Sequence, residues 1–210
     1  MSRPLTALAS RANPRHLRRR SSRGVTLLEL LIGVGVIIVI TVGVLMGVRS
    51  LNAQLDRSAL LRHAPQIHAN LSAYGVLDAT TTTTLTTQAA IDLNAFPSDL
   101  VSGSSVSNAF GGQTFVTGLA TAAQGIAAGG AYVLSFTGIP ASQCAGVARG
   151  LSALADAAWV APNTTTAQPT GLPDPSTAVR EVGKPLDRAK LTTQCAAGGG
   201  ALEIHVLMKR

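Results

Sequence analysis

The chain has 210 residues, a formal net charge of +7, and few aromatic (3%) or charged (13%) side chains. The seven arginines before residue 25 carry this whole excess, so the remaining basic and acidic side chains balance. A basic face for nucleic acid is therefore not expected, because no positive balance remains outside the N-terminal segment.

Residues 25–48 form an apolar stretch of 24 residues in which only Glu29 is charged. As an α-helix the stretch would be roughly 36 Å long, enough to cross the hydrocarbon core of a membrane. Seven arginines precede this stretch, and only Arg49 follows it directly. We therefore expect a cytoplasmic N-terminus and an exported remainder. A carboxylate in such a helix costs about 2.5–3.5 kcal/mol on insertion scales and is usually functional.

The residues from Arg23 to Glu29, Arg-Gly-Val-Thr-Leu-Leu-Glu, resemble a type IV prepilin cleavage motif. In that family a membrane-embedded prepilin peptidase cuts after the glycine, the new N-terminal residue is methylated, and the glutamate is the fifth residue of the mature chain. The resemblance implies cleavage between Gly24 and Val25, N-methylation of Val25, and Glu29 as a subunit-assembly residue. The basic leader 1–24 would then be removed.

Two other classes of N-terminal segment are the alternatives to a prepilin. A secretory signal peptide has an apolar core of about 7–15 residues and a small-residue cut site, whereas this run is longer and no A-x-A follows it. A plain signal anchor accounts for the length and the arginines and remains the alternative, but it leaves Glu29 unexplained.

Cleavage gives Glu29 a physical role. The cut creates a positive α-amine on Val25 in apolar surroundings, and Glu29 of one subunit could neutralise the amine of a neighbour. At 4 Å and an effective dielectric constant near 20, that attraction is about 4 kcal/mol, enough to offset much of the burial cost. The hypothesis is that Glu29 sets the register between subunits.

The helical pattern continues into an amphipathic half, residues 49–74. Leu51 and Leu55 extend one apolar face. Apolar residues at steps of four and three predict a second stripe on the other side. Its members are Leu60, Ala64, Ile67, Leu71 and Tyr74. Pro65 is expected to kink or interrupt the helix, and Gly75 to end it.

Residues 75–210 are predicted to form an α/β head. The threonine-rich run Thr80–Thr87 is expected to be a strand edge or a loop. A short helix is predicted near Ala89–Leu93, and a stripe from Cys144 to Ala155 predicts a second. Strands are predicted over 110–117, Ala131–Thr137 (ended by Pro140), Trp159–Val160 and Leu202–Lys209, with an exposed loop over Asn163–Pro175.

Cys144 and Cys195 lie in the part expected to be exported. An even cysteine count in an oxidising compartment predicts one disulfide, worth roughly 4 kcal/mol in the chain-entropy model. Two separate buried thiols are the alternative. A long N-terminal helix packed on an antiparallel sheet is an α+β pattern. It resembles the pilin fold, in which a C-terminal disulfide staples a variable region. The long leader and Val25 resemble the type IVb subclass, in particular major prepilins of bundle-forming and conjugative thin pili.

We expect neither enzyme activity, nor a cofactor, nor a metal site. No catalytic motif is present, and His63 and His68 are five residues apart, so they do not share a helix face. A cation site built from Asp174, Glu181 and Asp187 is the alternative to solvated loop acids.

Three functions follow from these patterns. The first is the major pilin of a type IVb pilus, a self-assembling subunit whose partners are prepilin peptidase and the inner-membrane assembly platform. It would wait in the inner membrane with its head in the periplasm and then enter an extracellular pilus. The second is a minor pilin or pseudopilin of a pilus or secretion system. The third is a non-polymerising, membrane-anchored periplasmic binding domain.

Overall fold

A computed structural model describes residues 26–73, 78–164 and 167–210. The leader, Val25, Tyr74 and Gly75 lie outside the described residues, so the predicted helix end at Gly75 stays a prediction. The chain divides into two units, residues 1–45 and 46–210. From here on, the head means the whole second unit, which also includes residues 46–73 of the N-terminal helix.

The elements follow in chain order. They are α1 (Leu27–Ala73), α2 (Ala79–Thr83), α3 (Thr87–Asp92), β1 (Val101–Ser102), β2 (Ser105–Val106), β3 (Thr114–Gly118), β4 (Ala131–Pro140), α4 (Ala141–Ser152), β5 (Ala157–Pro162), β6 (Ala178–Arg180), α5 (Arg188–Ala197) and β7 (Ala201–Lys209). A single 3-10 turn, Pro175–Thr177, precedes β6.

Helix α1 is one helix of 47 residues. Its second stripe is confirmed for the described residues, since Leu60, Ala64, Ile67 and Leu71 are at most 1% exposed. Of the two outcomes predicted at Pro65, the interruption is wrong, because the helix continues to Ala73, and the kink stays a prediction. Proline leaves one carbonyl without its helical N–H partner. Burial of Ala64 and Ile67 on either side holds the helix through that defect.

Five strands form an antiparallel sheet in the order β3-β4-β7-β5-β6. The C-terminal strand β7 lies in the middle, paired with β4 on one side and β5 on the other. β1 and β2 form a separate two-stranded hairpin. The predicted α+β class, a long N-terminal helix packed on an antiparallel sheet, is confirmed.

Each face of the sheet is covered. On one face, alternate residues such as Tyr132, Leu134 and Ile204 pack with the α1 stripe and with α4 and α5 in the larger core. On the other, Val133, Trp159 and Leu207 form a smaller core. β7 is therefore buried on both faces, which strict alternation in its sequence did not predict.

Several local predictions need correction. The threonine run forms α2 and the start of α3, because Asp78 and Thr86 accept hydrogen bonds from the N–H groups of Thr81 and Ala89 and so cap two short helices. Leu154, assigned to the α4 stripe, follows the end of that helix and is 50% exposed. β6, α5 and the β1-β2 hairpin had not been predicted.

Candidate assembly site

The first turn of α1 holds Glu29. The Thr26 hydroxyl accepts a hydrogen bond from the Glu29 backbone N–H at 3.3 Å, and the Thr26 carbonyl accepts one from Leu30 at 3.1 Å. Thr26 therefore caps the helix, and Glu29 stands three residues later, as in a capping box. Thr26 is not among the predicted site residues, although the spacing Thr-x-x-Glu is the sequence signal for such a cap. Gly24 and Val25 lie outside the described residues.

The position of Glu29 lowers its cost in a membrane. An acidic side chain in the first turn faces the positive end of the helix dipole, which is worth about 0.3–1 kcal/mol. Burying a carboxylate at the centre of a membrane helix costs about 2.5–3.5 kcal/mol. The dipole therefore offsets only a small part of that cost.

The described part of the first unit, residues 26–45, presents apolar side chains to its surroundings on every side. All these residues are exposed, Leu27 by 82% and Val39 by 72%. By length and composition, α1 is the one helix among the described residues that could cross a membrane. None of these residues belongs to the buried cores of the head.

The predicted disulfide is confirmed. Cys144 on α4 and Cys195 on α5 are bonded, with their Cα atoms 5.7 Å apart. Both residues are buried, at 0% and 6% exposure. The bond ties two helices that pack on the same face of the sheet, so it closes the C-terminal half of the head.

A side-chain hydrogen bond joins α1 to the sheet. His68 Nδ1 lies 2.5 Å from the Tyr132 hydroxyl of β4, and the two rings stack with centroids 6.1 Å apart. Burial raises the pKa of the Tyr132 phenol above its ordinary value, so the phenol stays protonated and can donate to the imidazole. His68 thus anchors α1 to β4.

The smaller core contains a polar cluster on β4 and β7. His205 Nδ1 is 2.8 Å from Ser135 Oγ, and His205 Nε2 is 3.3 Å from Glu203 Oε1. A neutral imidazole satisfies both contacts by accepting from the serine and donating to the carboxylate. A serine, a histidine and a carboxylate therefore meet here, and Ser135 is completely buried.

The three acids weighed as a cation site serve separate local roles. Asp174 caps the 3-10 turn, Asp187 caps α5, and Glu181 pairs with Lys184 at 2.6 Å. Hydrogen bonds from Ser176 lower the pKa of Asp174, and the Lys184 ammonium lowers that of Glu181. Within the described ranges, no cluster of three metal-ligating side chains occurs.

A capped apolar helix that continues into an α+β head with one disulfide defines a pilin-like class of protein. The sequence matches the family described as PilS N terminal over residues 63–207, more than half of the chain. The chain belongs to this pilus-related family. The comparison with curated proteins gave no match.

Proposed function

We propose that the chain is the major pilin of a type IVb pilus. It is inserted in the inner membrane as a prepilin, cut after Gly24 by prepilin peptidase, N-methylated at Val25, and delivered by the assembly platform into an extracellular homopolymer. The head stays periplasmic until assembly. The first half of α1 mediates polymerisation, with Glu29 facing the Val25 amine of a neighbour.

One observation carries this proposal. The family match covers residues 63–207 and so excludes the cleavage motif, which lies at Gly24 to Glu29. Two independent parts of the chain therefore support the same class of protein. The exposed apolar helix adds a physical reason, because about twenty apolar residues without a partner need a membrane or a bundle of copies.

A minor pilin or pseudopilin is the second candidate. It shares the N-terminal motif and the family, and differs in abundance. The disulfide-closed head and the long leader favour the major subunit by resemblance. A non-polymerising anchored domain remains the third, since an anchor alone explains neither Glu29 nor a family match to pilus proteins.

The processing step can be tested by replacing Gly24 with leucine. A peptidase site that admits glycine before the cut should reject a bulky side chain, so we expect a full-length membrane precursor and no surface filaments. The same replacement three residues upstream, Ser21→Leu, is the control and should mature normally. Normal maturation of Gly24→Leu, measured by mass analysis of membrane and sheared fractions, would contradict the proposal.

A further inference from the structure

Arg57 of α1 lies directly over the backbone of α4. A Cβ atom at position 146 would come within 2.6 Å of Arg57 Nη1 and 2.8 Å of its Cζ, so the guanidinium packs into the space that Gly146 leaves free. The side chain is therefore seated on Gly146.

The seated guanidinium lines a cavity of about 420 Å³ between α1 and α4. The other lining residues are Gln54, Ser58, Leu61 and Gln143, none of them acidic. Arg57 itself makes no hydrogen bond or ion pair with any residue that the structure describes. The cavity thus offers a positive charge and amide groups, which suits a carboxylate.

The cavity continues an exposed apolar stripe on the same helix. Val48, Leu51 and Leu55 of the head are 48%, 61% and 65% exposed, and steps of three and four residues place them on one face. Among the described head residues, the other large exposed apolar side chain is Leu154. From Leu55, two further steps of three residues along the helix lead to Ser58 and Leu61, which line the cavity.

The chain itself carries unpaired carboxylates that a second copy could place in this cavity. In the described head, seven of the nine acidic side chains make a hydrogen bond or an ion pair within the chain. They are Asp78, Asp92, Asp156, Asp174, Glu181, Asp187 and Glu203. The other two, Asp56 and Asp99, make neither contact with any residue that the structure describes. A second copy can therefore supply both an apolar stripe and an unpaired carboxylate.

We propose that this face of the head, the stripe with the Arg57 cavity, is an interface between copies in which Arg57 receives Asp56 or Asp99 of a second copy. The inference rests on the proposed polymer and extends it from the apolar half of α1 to the head. The stripe supplies apolar contact, and the arginine disfavours a neighbour that presents a basic side chain there, because like charges at an interface are strongly unfavourable.

The test uses the full chain in cells that shear wild-type subunit into the filament fraction. We expect Arg57→Glu to leave cleavage, the disulfide and protease resistance of the membrane-bound subunit unchanged and to lower the sheared subunit at least about tenfold. Arg62→Glu, on the same helix outside the cavity, is the matched control and should assemble. Combining Arg57→Glu with Asp56→Arg or with Asp99→Arg should restore filaments for the acid that binds.

Each outcome decides the inference. Normal filaments from Arg57→Glu, or failure of both double variants to restore them, would overturn it. A misfolded Arg57→Glu subunit that neither double variant rescues also counts against it. Absence of the wild-type subunit from the sheared fraction would instead contradict the proposed function, and the interface with it.

Discussion

Two properties of the N-terminal helix act on the Glu29 carboxylate in opposite directions. The Thr26 cap and the helix dipole favour an acid in the first turn, yet the helix that follows is predominantly apolar up to Leu45 and suited to a membrane. Because the dipole offsets only a small part of the membrane cost, we propose that a cation of a neighbouring subunit balances the remainder.

This assignment predicts the behaviour of Glu29→Gln, which keeps the shape and removes the charge. We expect normal insertion and cleavage but at least about tenfold less subunit in sheared filaments, since an ion pair of about 4 kcal/mol is lost. Glu181→Gln removes an exposed carboxylate of the head and is the control. Equal filament yields from both variants, measured by quantitative blotting, would show that Glu29 has no assembly role.

At the scale of single residues, chemistry-bearing positions were predictable where one residue broke a pattern. Glu29 interrupts an apolar run, and the two cysteines form a pair. Arg57 gave no such signal, because an arginine on an amphipathic helix is ordinary. Its seat on Gly146 depends on where α4 crosses α1, which only the tertiary structure fixes.

Among the elements, the contact between β3 and α2 depends on one glycine. A Cβ at Gly118 would lie 1.7 Å from the carbonyl oxygen of Thr82, and the Gly118 N–H donates to the Leu85 carbonyl at 2.9 Å. The strand therefore approaches the helix backbone more closely than any other residue allows.

We expect Gly118→Ala to destabilise the head by about 1–3 kcal/mol, the usual cost of overpacking. Gly171→Ala is the control, because nothing lies within 4 Å of its Cβ position and its φ is not positive. Urea unfolding of the detergent-solubilised chain can be followed by fluorescence of Trp159, which is 1% exposed. Equal midpoints for the two variants would show that the contact yields without cost.

Elements with strong periodicity were predictable, and those defined by tertiary contacts were not. β4, β7 and α4 each carry a clear apolar period and were predicted near their observed bounds. α5 buries only Leu191 and Cys195, too few to produce a stripe. In the threonine run, two capping side chains outweighed β-propensity. Glu203 and His205 were assigned to an outer face, but the smaller core covers them.

For the whole molecule, the disulfide constrains the C-terminal half of the head. Its cysteines are 51 residues apart, so the chain-entropy relation gives about 4 kcal/mol of stabilisation. We expect the double variant Cys144→Ala, Cys195→Ala to insert in the membrane but to unfold at lower urea concentration and to be cut faster by protease. Mock-treated and reduced wild-type chains provide the matched comparison. If the double variant and the reduced wild-type chain were both as resistant to protease as the mock-treated chain, the bond would contribute little to stability.

The class of the whole molecule could be predicted because it depends on two coarse features, a long apolar helix at the N-terminus and an alternating C-terminal strand. Both are local patterns of side-chain polarity. The order β3-β4-β7-β5-β6 was not predictable, since pairing of the last strand between β4 and β5 joins segments far apart in sequence.

The most direct test of the account is N-terminal mass analysis of the subunit recovered from sheared cell-surface material. The account predicts an abundant mature chain that begins with N-methylated Val25 and lacks residues 1–24. A subunit that begins at any other residue, or one found only as a dispersed membrane protein, would contradict it.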